Sequence, residues 1–235
     1  MKKSILIGLM ALLLIAVSFA GGFFNNSSVA VESLPVESLT SNEINGLLQM
    51  REEEKLARDV YLTLYDTWGL QTFYNIAQAE QTHMNAVKTI LDKYEIEDPI
   101  TDYTVGVFKN AELQKLYYDL VEEGKKSAIE ALKVGATIED LDIYDLEKLL
   151  NETDNQDITL VYNNLKQGSE NHMRAFVGTL ERYNSTYSAQ YISSEELNEI
   201  LNKSDMNNSS MENSSTQYNS GNSSHMGKGY RGGRK

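Results

Sequence analysis

The sequence has no cysteine, and it has only two prolines and three histidines in 235 residues. Without cysteine there are no disulfides, thiolate nucleophiles, iron–sulfur clusters or cysteine-held zinc sites. Any metal must therefore be held by carboxylates and histidines. Positive charge is also scarce, because the formal net charge is -13. A chain this acidic disfavours nucleic acid and anionic lipid as partners.

The N-terminus has the features of an export signal. Lys2 and Lys3 precede an apolar run, and small residues suit cleavage after Ala20. We therefore expect residues 1–20 to be a signal peptide and the mature protein to be extracytoplasmic, either secreted or at the cell surface. If the signal is not cleaved, the stretch from Ile5 to Phe24 is long enough to anchor the chain in a membrane.

One domain is expected between two segments of low complexity. Residues 21–38 are small and polar without a clear period, and they are interpreted as a spacer. Residues 204–235 are rich in Asn, Ser and Gly and end in several basic side chains, a composition typical of a disordered tail. The fold is therefore assigned to residues 39–203.

Apolar residues within this domain recur at helical spacing, which predicts an all-α fold. Thr40 and Glu43 form a potential capping box at the start of the first helix. A shorter helix is predicted to begin near Asn110, and Ser193 with Glu196 is expected to cap a short C-terminal helix. The four long helices are predicted at about 40–66, 71–94, 125–150 and 155–183.

The lengths of the connections predict how these helices are arranged. Short links join the first long helix to the second and the third to the fourth, whereas a long link joins the middle pair. Short links make antiparallel neighbours, and one long crossover lets the two middle helices run parallel. The prediction is a ferritin-like four-helix bundle with one long crossover carrying a short helix, plus a short C-terminal helix.

Polar residues interrupt the core-facing stripe of each long helix. Every stripe keeps three- and four-residue steps, so these polar side chains are expected to point inward. Four carboxylates in one core repel each other unless they are protonated or neutralised by cations, and two divalent ions would neutralise them. Oxygen and nitrogen donors without sulfur suit iron or manganese, with zinc as a redox-silent alternative. The candidate metal ligands are Glu54, Glu80, His83, Glu139, Asp142 and His172.

Two positions leave alternatives open. Glu53 replaces Glu54 as the inward carboxylate if the first helix is rotated. On the fourth helix, Ser169 occupies the place where a carboxylate three residues before His172 is expected, and Glu170 is about 100° away around the helix. Asp142 restores the count of four carboxylates. Without Asp142 the site would be mononuclear or labile.

Several segments resemble known families. Glu54 to Tyr61 resembles the first-helix pattern of rubrerythrins, Ile76 to His83 resembles their second-helix Glu-x-x-His, and Glu139 to Asp142 falls where they carry Glu-x-x-Glu. The stretches REEEKLARDVY, GATIEDLDIYDL and GSENHMRAF resemble more closely a ferritin-like domain of unknown function found in archaea and bacteria. The likeness covers about residues 47–183.

The resemblance implies a cofactor of two iron ions, with manganese or zinc as substitutes. Glu54 and Glu139 would be terminal or bridging ligands, Glu80 would bridge, and His83 and His172 would bind one ion each. The implied partners are oxygen or peroxide and an electron donor of unknown identity. The alternative is a non-catalytic acidic binding or envelope module with a structural, stored or absent metal. Catalysis and oligomeric state stay open, with a dimer as one expectation.

Overall fold

The computed structural model describes residues 31–203, and this part of the chain is helical without any strand. The expected signal peptide, most of the spacer and the tail lie outside the described residues. No helix within residues 31–203 combines the length and apolarity needed to cross a membrane. Residues 31–33 are helical at the start of the described region, and the helices that follow are α1 (Ser41–Trp68), α2 (Gln71–Lys93), α3 (Ala111–Gly124), α4 (Ala128–Glu152), α5 (Gln156–Arg182) and α6 (residues 194–203).

The all-α prediction is confirmed, and local chemistry explains where α1 begins and ends. The Thr40 side chain accepts a hydrogen bond from the Glu43 N–H, while Glu43 Oε2 accepts one from the Thr40 N–H at 2.8 Å. At the other end Gly69 adopts a left-handed conformation with φ 65°, and its N–H donates to the Tyr65 carbonyl. Glycine adopts this conformation without steric penalty, so α1 ends there.

The four long helices pack as a square in which α1 and α5 each contact both α2 and α4. Opposed residue pairs show that α1 is antiparallel to α4 and that α2 is antiparallel to α5. These pairs are Tyr61 with Gly135, Gly46 with Leu149, Thr72 with Thr179, and Lys93 with Asp157. Because a two-residue link also makes α1 antiparallel to α2, the helices α2 and α4 run in the same direction.

The bundle interior consists of two apolar clusters separated by a polar layer. One cluster surrounds Tyr61, Phe73 and Phe176, and the other surrounds Leu47 and Ile90. The predicted core stripes include these five residues, but many other buried positions lie outside the stripes, among them Val60 and Met173. The sequence predicts that the fourth long helix ends at about residue 183; α5 ends at Arg182, and Tyr183 is 42% exposed.

The crossover between α2 and α3 is held to α1 by buried charges. Arg51 Nε and Nη2 donate to the two carboxylate oxygens of Asp98 at 3.1 and 2.9 Å. Lys55 Nζ donates to Asp59 and to the carbonyls of Thr104 and Val107. These contacts satisfy cations that would otherwise be costly to bury. Because the bundle core covers one side of α1 and the crossover covers the other, residues 54 to 61 are all buried.

The segment between α5 and α6 is held by one buried carboxylate of α4. Asp140 accepts hydrogen bonds from the Tyr187 hydroxyl at 2.7 Å and from the backbone N–H groups of Gln190, Tyr191 and Ile192. A carboxylate that receives several N–H donors fixes the path of a loop. This contact places α6 against the outer face of α4 and α5.

Candidate metal centre

The polar layer at mid-height contains side chains from all four long helices. Glu54 comes from α1, Glu80 and His83 from α2, Glu139 from α4 and His172 from α5. Each lies on its core stripe, and Glu80 and His83 share a face because they are three residues apart. All five side chains are buried, as is Asp142 one turn further along α4.

Glu80 lies between the two histidines. Its Oε2 is 2.7 Å from His83 Nδ1, and its Oε1 is 2.9 Å from His172 Nδ1. The two imidazole rings are stacked, with centroids 5.3 Å apart and an interplanar angle of 28°. One carboxylate therefore contacts both histidines through different oxygens, which is the arrangement of a bridging ligand.

Two further carboxylates flank this pair on opposite sides. Glu54 Oε2 is hydrogen-bonded to His83 Nδ1 at 3.2 Å, and Glu139 Oε2 lies 3.4 Å from His172 Nδ1. The centre thus has two similar halves that share Glu80, each with one histidine and one further carboxylate.

Many polar atoms of the centre are close together without being hydrogen-bonded. The buried atoms without a hydrogen-bond partner include Glu54 Oε1, both oxygens of Glu80, Glu139 Oε2, Asp142 Oδ2 and His172 Nδ1. A buried unsatisfied polar group destabilises a fold by about 1–3 kcal/mol. Polar atoms that lie at contact distance but lack hydrogen-bond geometry indicate a place where one ligand can bind several of them at once. One ligand atom each of Glu80, His83 and His172 lies within 4.8 Å of the others, so this buried group could hold a metal ion.

The electrostatics of the centre without metal favour bound protons. Burial lowers the pKa of His83, but Glu54 and Glu80 outweigh it and raise that pKa to about 10. Burial also raises the pKa of Glu54 to about 8, despite the opposing effect of His83. Burial raises the pKa of Glu139 to about 7, opposed by His172.

The pKa values of Asp142 and Glu80 are shifted in opposite directions. Burial and the charges of Glu54 and Glu139 raise the pKa of Asp142 well above its ordinary value. Burial opposes ionisation of Glu80, but His172 and His83 overcome it and hold the pKa of Glu80 well below its ordinary value. Without metal, Glu80 is therefore the ionised carboxylate of the centre, and metal binding must displace protons from its neighbours.

The stability of the metal-free protein is expected to fall as the pH rises from 5 to 10. Glu54, Glu139 and His83 have folded-state pKa values above their ordinary ones, so the folded state binds more protons than the unfolded state. The stabilisation from these extra protons is complete at pH values below the ordinary pKa values. It is lost as the pH rises through the folded-state pKa values, by about 1.4 kcal/mol per pH unit for each extra proton. Thermal unfolding with a chelator at pH 6, 7.5 and 9 measures this slope.

The same measurement with excess Mn²⁺ provides the control. Because a bound cation replaces the protons, the loss of stability with rising pH is expected to flatten or reverse. A metal-free protein that becomes more stable between pH 6 and 9 would contradict the charge assignment.

Tyr61 and Gly168 shape the centre from outside it. The Tyr61 hydroxyl donates to Glu139 Oε1 at 2.6 Å, which leaves Glu139 Oε2 facing His172. A Cβ on Gly168 would lie 2.3 Å from His83 Nε2, so the imidazole packs directly on the α5 backbone. Helical periodicity does not predict this contact, because Gly168 lies one residue before the stripe position of Ser169.

The structure distinguishes between the alternatives at Glu53 and Ser169. Glu54 contacts His83, whereas Glu53 accepts a hydrogen bond from Gln49. Burial raises the pKa of Glu53, and Asp145 of α4 lies close enough for its charge to raise that pKa further. Glu170 points away from the centre and pairs with Lys203 on α6. Ser169 is buried, and its hydroxyl donates to the Leu165 carbonyl at 3.3 Å.

Comparison with known proteins identifies relatives over most of the described region. Residues 43–204 match the family described as an uncharacterized protein domain, DUF2202. The uncharacterized protein MJ0754 of Methanocaldococcus jannaschii is 60% identical over 174 residues, which cover 74% of this chain and 94% of that protein. The crystal structure of hypothetical protein MJ0754 from Methanococcus jannaschii is similar with a TM-score of 0.71 and 61% identity, covering 72% of this chain and 97% of that one.

Proposed function

The chain belongs to the family of the uncharacterized protein domain DUF2202, and within this family we propose that it is an exported, ferritin-like protein with a dinuclear iron or iron–manganese centre that reacts with oxygen or peroxide. The observation that carries the proposal is Glu80, whose two oxygens lie 2.7 and 2.9 Å from Nδ1 of His83 and His172 without hydrogen-bond geometry. A carboxylate in this position suits a bridge between two ions.

The proposed ligands divide into two halves. Glu54 and His83 would hold one ion, and Glu139 and His172 would hold the other, with Glu80 shared between them. Asp142, whose Oδ2 is buried without a hydrogen-bond partner, would supply the carboxylate that Ser169 cannot. Bound iron or manganese would supply the electron-transfer chemistry that these side chains lack.

The remaining chemistry belongs to this chain's own residues. Tyr61 fixes one oxygen of Glu139 and so orients the other towards the centre. Loading the site requires that His83 and Glu54 give up protons that their raised pKa values retain. The apolar clusters above and below exclude bulk water, which strengthens electrostatic interactions within the layer.

The helix directions support the ferritin-like part of this proposal. Two antiparallel pairs whose middle helices run parallel, with a long crossover between them, are the arrangement of a ferritin-like bundle. The proposed export follows from the N-terminal segment, and a separate electron donor follows from the absence of cysteine. The donor, the oxidant and any oligomeric partner are further parts of the proposal.

Metal content of the full chain, produced in iron-supplemented cells and purified without chelators, tests this proposal. We expect about two iron or manganese ions per chain, since a four-carboxylate, two-histidine centre holds two. The variants His83→Ala and His172→Ala each remove one nitrogen ligand and are expected to lose most of this metal. Elemental analysis beside circular dichroism separates metal loss from unfolding.

A second reading is favoured by Ser169, which leaves one half short of a carboxylate. In that reading the bundle holds one structural or stored cation and performs no redox reaction. One zinc ion per chain and no consumption of added peroxide would support it. Absence of any bound metal in a folded wild-type protein would contradict both metal-binding functions and would favour an acidic binding or envelope module without metal.

A further inference from the structure

A cleft of about 220 Å³ runs along the seam between α1 and α4, on one side of the centre. Its walls are polar, and carboxylates and amides predominate among them. The residues that matter here are Asn45, Gly46, Gln49, Asp145, Leu149 and Glu152. Lys148 lies at the rim with its side chain 57% exposed, 3.8 Å from Asp145. The cleft therefore opens to solvent between oxygen donors.

Two buried polar atoms without partners lie behind the wall of this cleft, each next to a residue that lines it. Tyr162 is 1% exposed, and its hydroxyl has no hydrogen-bond partner. That hydroxyl lies 3.2 Å from the position of a Cβ on Gly46, a residue of the cleft wall. Glu53 accepts a hydrogen bond from Gln49 through Oε1, while its Oε2 is buried without a partner. Buried polar groups without a hydrogen-bond partner next to a polar cleft indicate that a non-protein ligand contacts them.

The helix register connects this place with the metal centre. Gly46 opposes Leu149 and Tyr61 opposes Gly135, so Glu53 lies level with Asp142 on the antiparallel α4. Asp142 in turn belongs to the buried carboxylates of the centre, and its own Oδ2 has no partner. Asp145, Glu53 and Asp142 thus form a series of carboxylates from the cleft to the core.

We propose that this cleft, together with the two unpartnered groups behind its wall, is a second, outer binding site for a divalent cation, held by Asp145 and Gln49 of the cleft with Glu53 and Tyr162, and that it is the path by which metal reaches the centre. The donors are all oxygens, which suits a partly hydrated small divalent cation. An anion would meet Glu53, Asp145 and Glu152 with only Lys148 to oppose them. The transfer role depends on the proposed function, whereas the outer site itself does not.

The loading rate of Co²⁺ tests the path, and no oxidant is needed. Co²⁺ added to the chelator-treated full chain is followed by its visible absorbance in a stopped-flow instrument. Glu53→Gln is expected to slow loading about tenfold, the lower end of electrostatic effects on association rates, while the final amount of bound Co²⁺ stays the same. The matched control is Glu52→Gln, which removes the adjacent carboxylate, one that lines a different pocket with Lys55 and Ile100, and it is expected to load at the wild-type rate.

A second measurement tests the outer site directly. In a variant lacking both His83 and His172, one weak Mn²⁺ site is expected by electron paramagnetic resonance, and Glu53→Gln is expected to remove it. Unchanged loading of Glu53→Gln overturns the proposed path while leaving the proposed function intact. A wild-type chain that binds no Co²⁺ overturns both, and circular dichroism verifies that each variant is folded.

Discussion

Replacing Glu80 with Gln is expected to abolish metal binding at the centre. Glutamine has nearly the same shape but neither charge nor two acceptor oxygens, so the contact shared by His83 and His172 is lost. Outer partners of metal ligands typically contribute 10–100-fold in affinity, and the loss of a shared ligand is expected to exceed about 100-fold. Isothermal titration with Mn²⁺ or Co²⁺ measures the affinity.

The same change is expected to destabilise the metal-free protein. Glu80 is the carboxylate whose ionised form balances the two protonated histidines, and leaving a buried charge unpaired destabilises a protein by about 3–5 kcal/mol. Urea unfolding of the wild type and of Glu80→Gln, both in the presence of a chelator, measures this loss in the free energy of unfolding. The pKa values of both histidines should fall at the same time, because His172 loses the main charge that opposes burial and His83 loses the second, after Glu54.

Glu170→Gln is the matched control for Glu80→Gln. Glu170 is a buried glutamate close in sequence to His172, but it pairs with Lys203 on α6. Its replacement is expected to leave metal affinity within about twofold, since it lies outside the centre. Wild-type affinity in Glu80→Gln, or equal losses in both variants, would contradict the bridging position assigned to Glu80.

Gly168→Ala is expected to impair both stability and metal binding. The added Cβ would lie 2.3 Å from His83 Nε2 and 2.5 Å from its Cε1, so the ring or the α5 backbone must move. Overpacking of this kind destabilises by about 1–3 kcal/mol. For a chain of this size each kcal/mol lowers Tm by about 2–4 °C. Calorimetry gives Tm, and titration with Co²⁺ gives the accompanying loss of affinity.

Gly178→Ala provides the comparison on the same helix. No atom lies within 4 Å of the position of a Cβ on Gly178, so the substitution meets open space. Replacing a helical glycine with alanine there is expected to stabilise the protein by about 0.5–1 kcal/mol. Opposite signs at the two glycines attribute the effect to His83. Equal effects would show that helix propensity alone is responsible.

Hydrophobic periodicity was sufficient to predict the helices and the inward direction of the polar residues. Glu54, Glu80, His83, Glu139 and His172 occupy stripe positions, and the structure brings them together in one layer. This worked because a residue's position on a long helix is set by sequence spacing alone. The choice of Glu54 over Glu53 follows from the same phase.

Features that depend on contacts between distant segments were not predictable in this way. Arg51, Lys55 and Arg58 have the spacing and charge of surface residues, yet the crossover covers them. Their burial requires partners in a connection about 50 residues later, such as the Asp98 carboxylate for Arg51 and the Thr104 carbonyl for Lys55, which local patterns do not indicate. Asp140 likewise has four donors only because the segment before α6 returns to it.

The complete burial of α1 between residues 54 and 61 also limits how this protein can evolve. One side of this stretch supplies Glu54 and Tyr61 to the centre, and the other holds the crossover through Lys55, Arg58 and Asp59. An ordinary bundle helix has a solvent face on which sequence can drift without consequence. Here a substitution at any of the eight positions alters a buried contact, so two separate requirements restrict the same short segment.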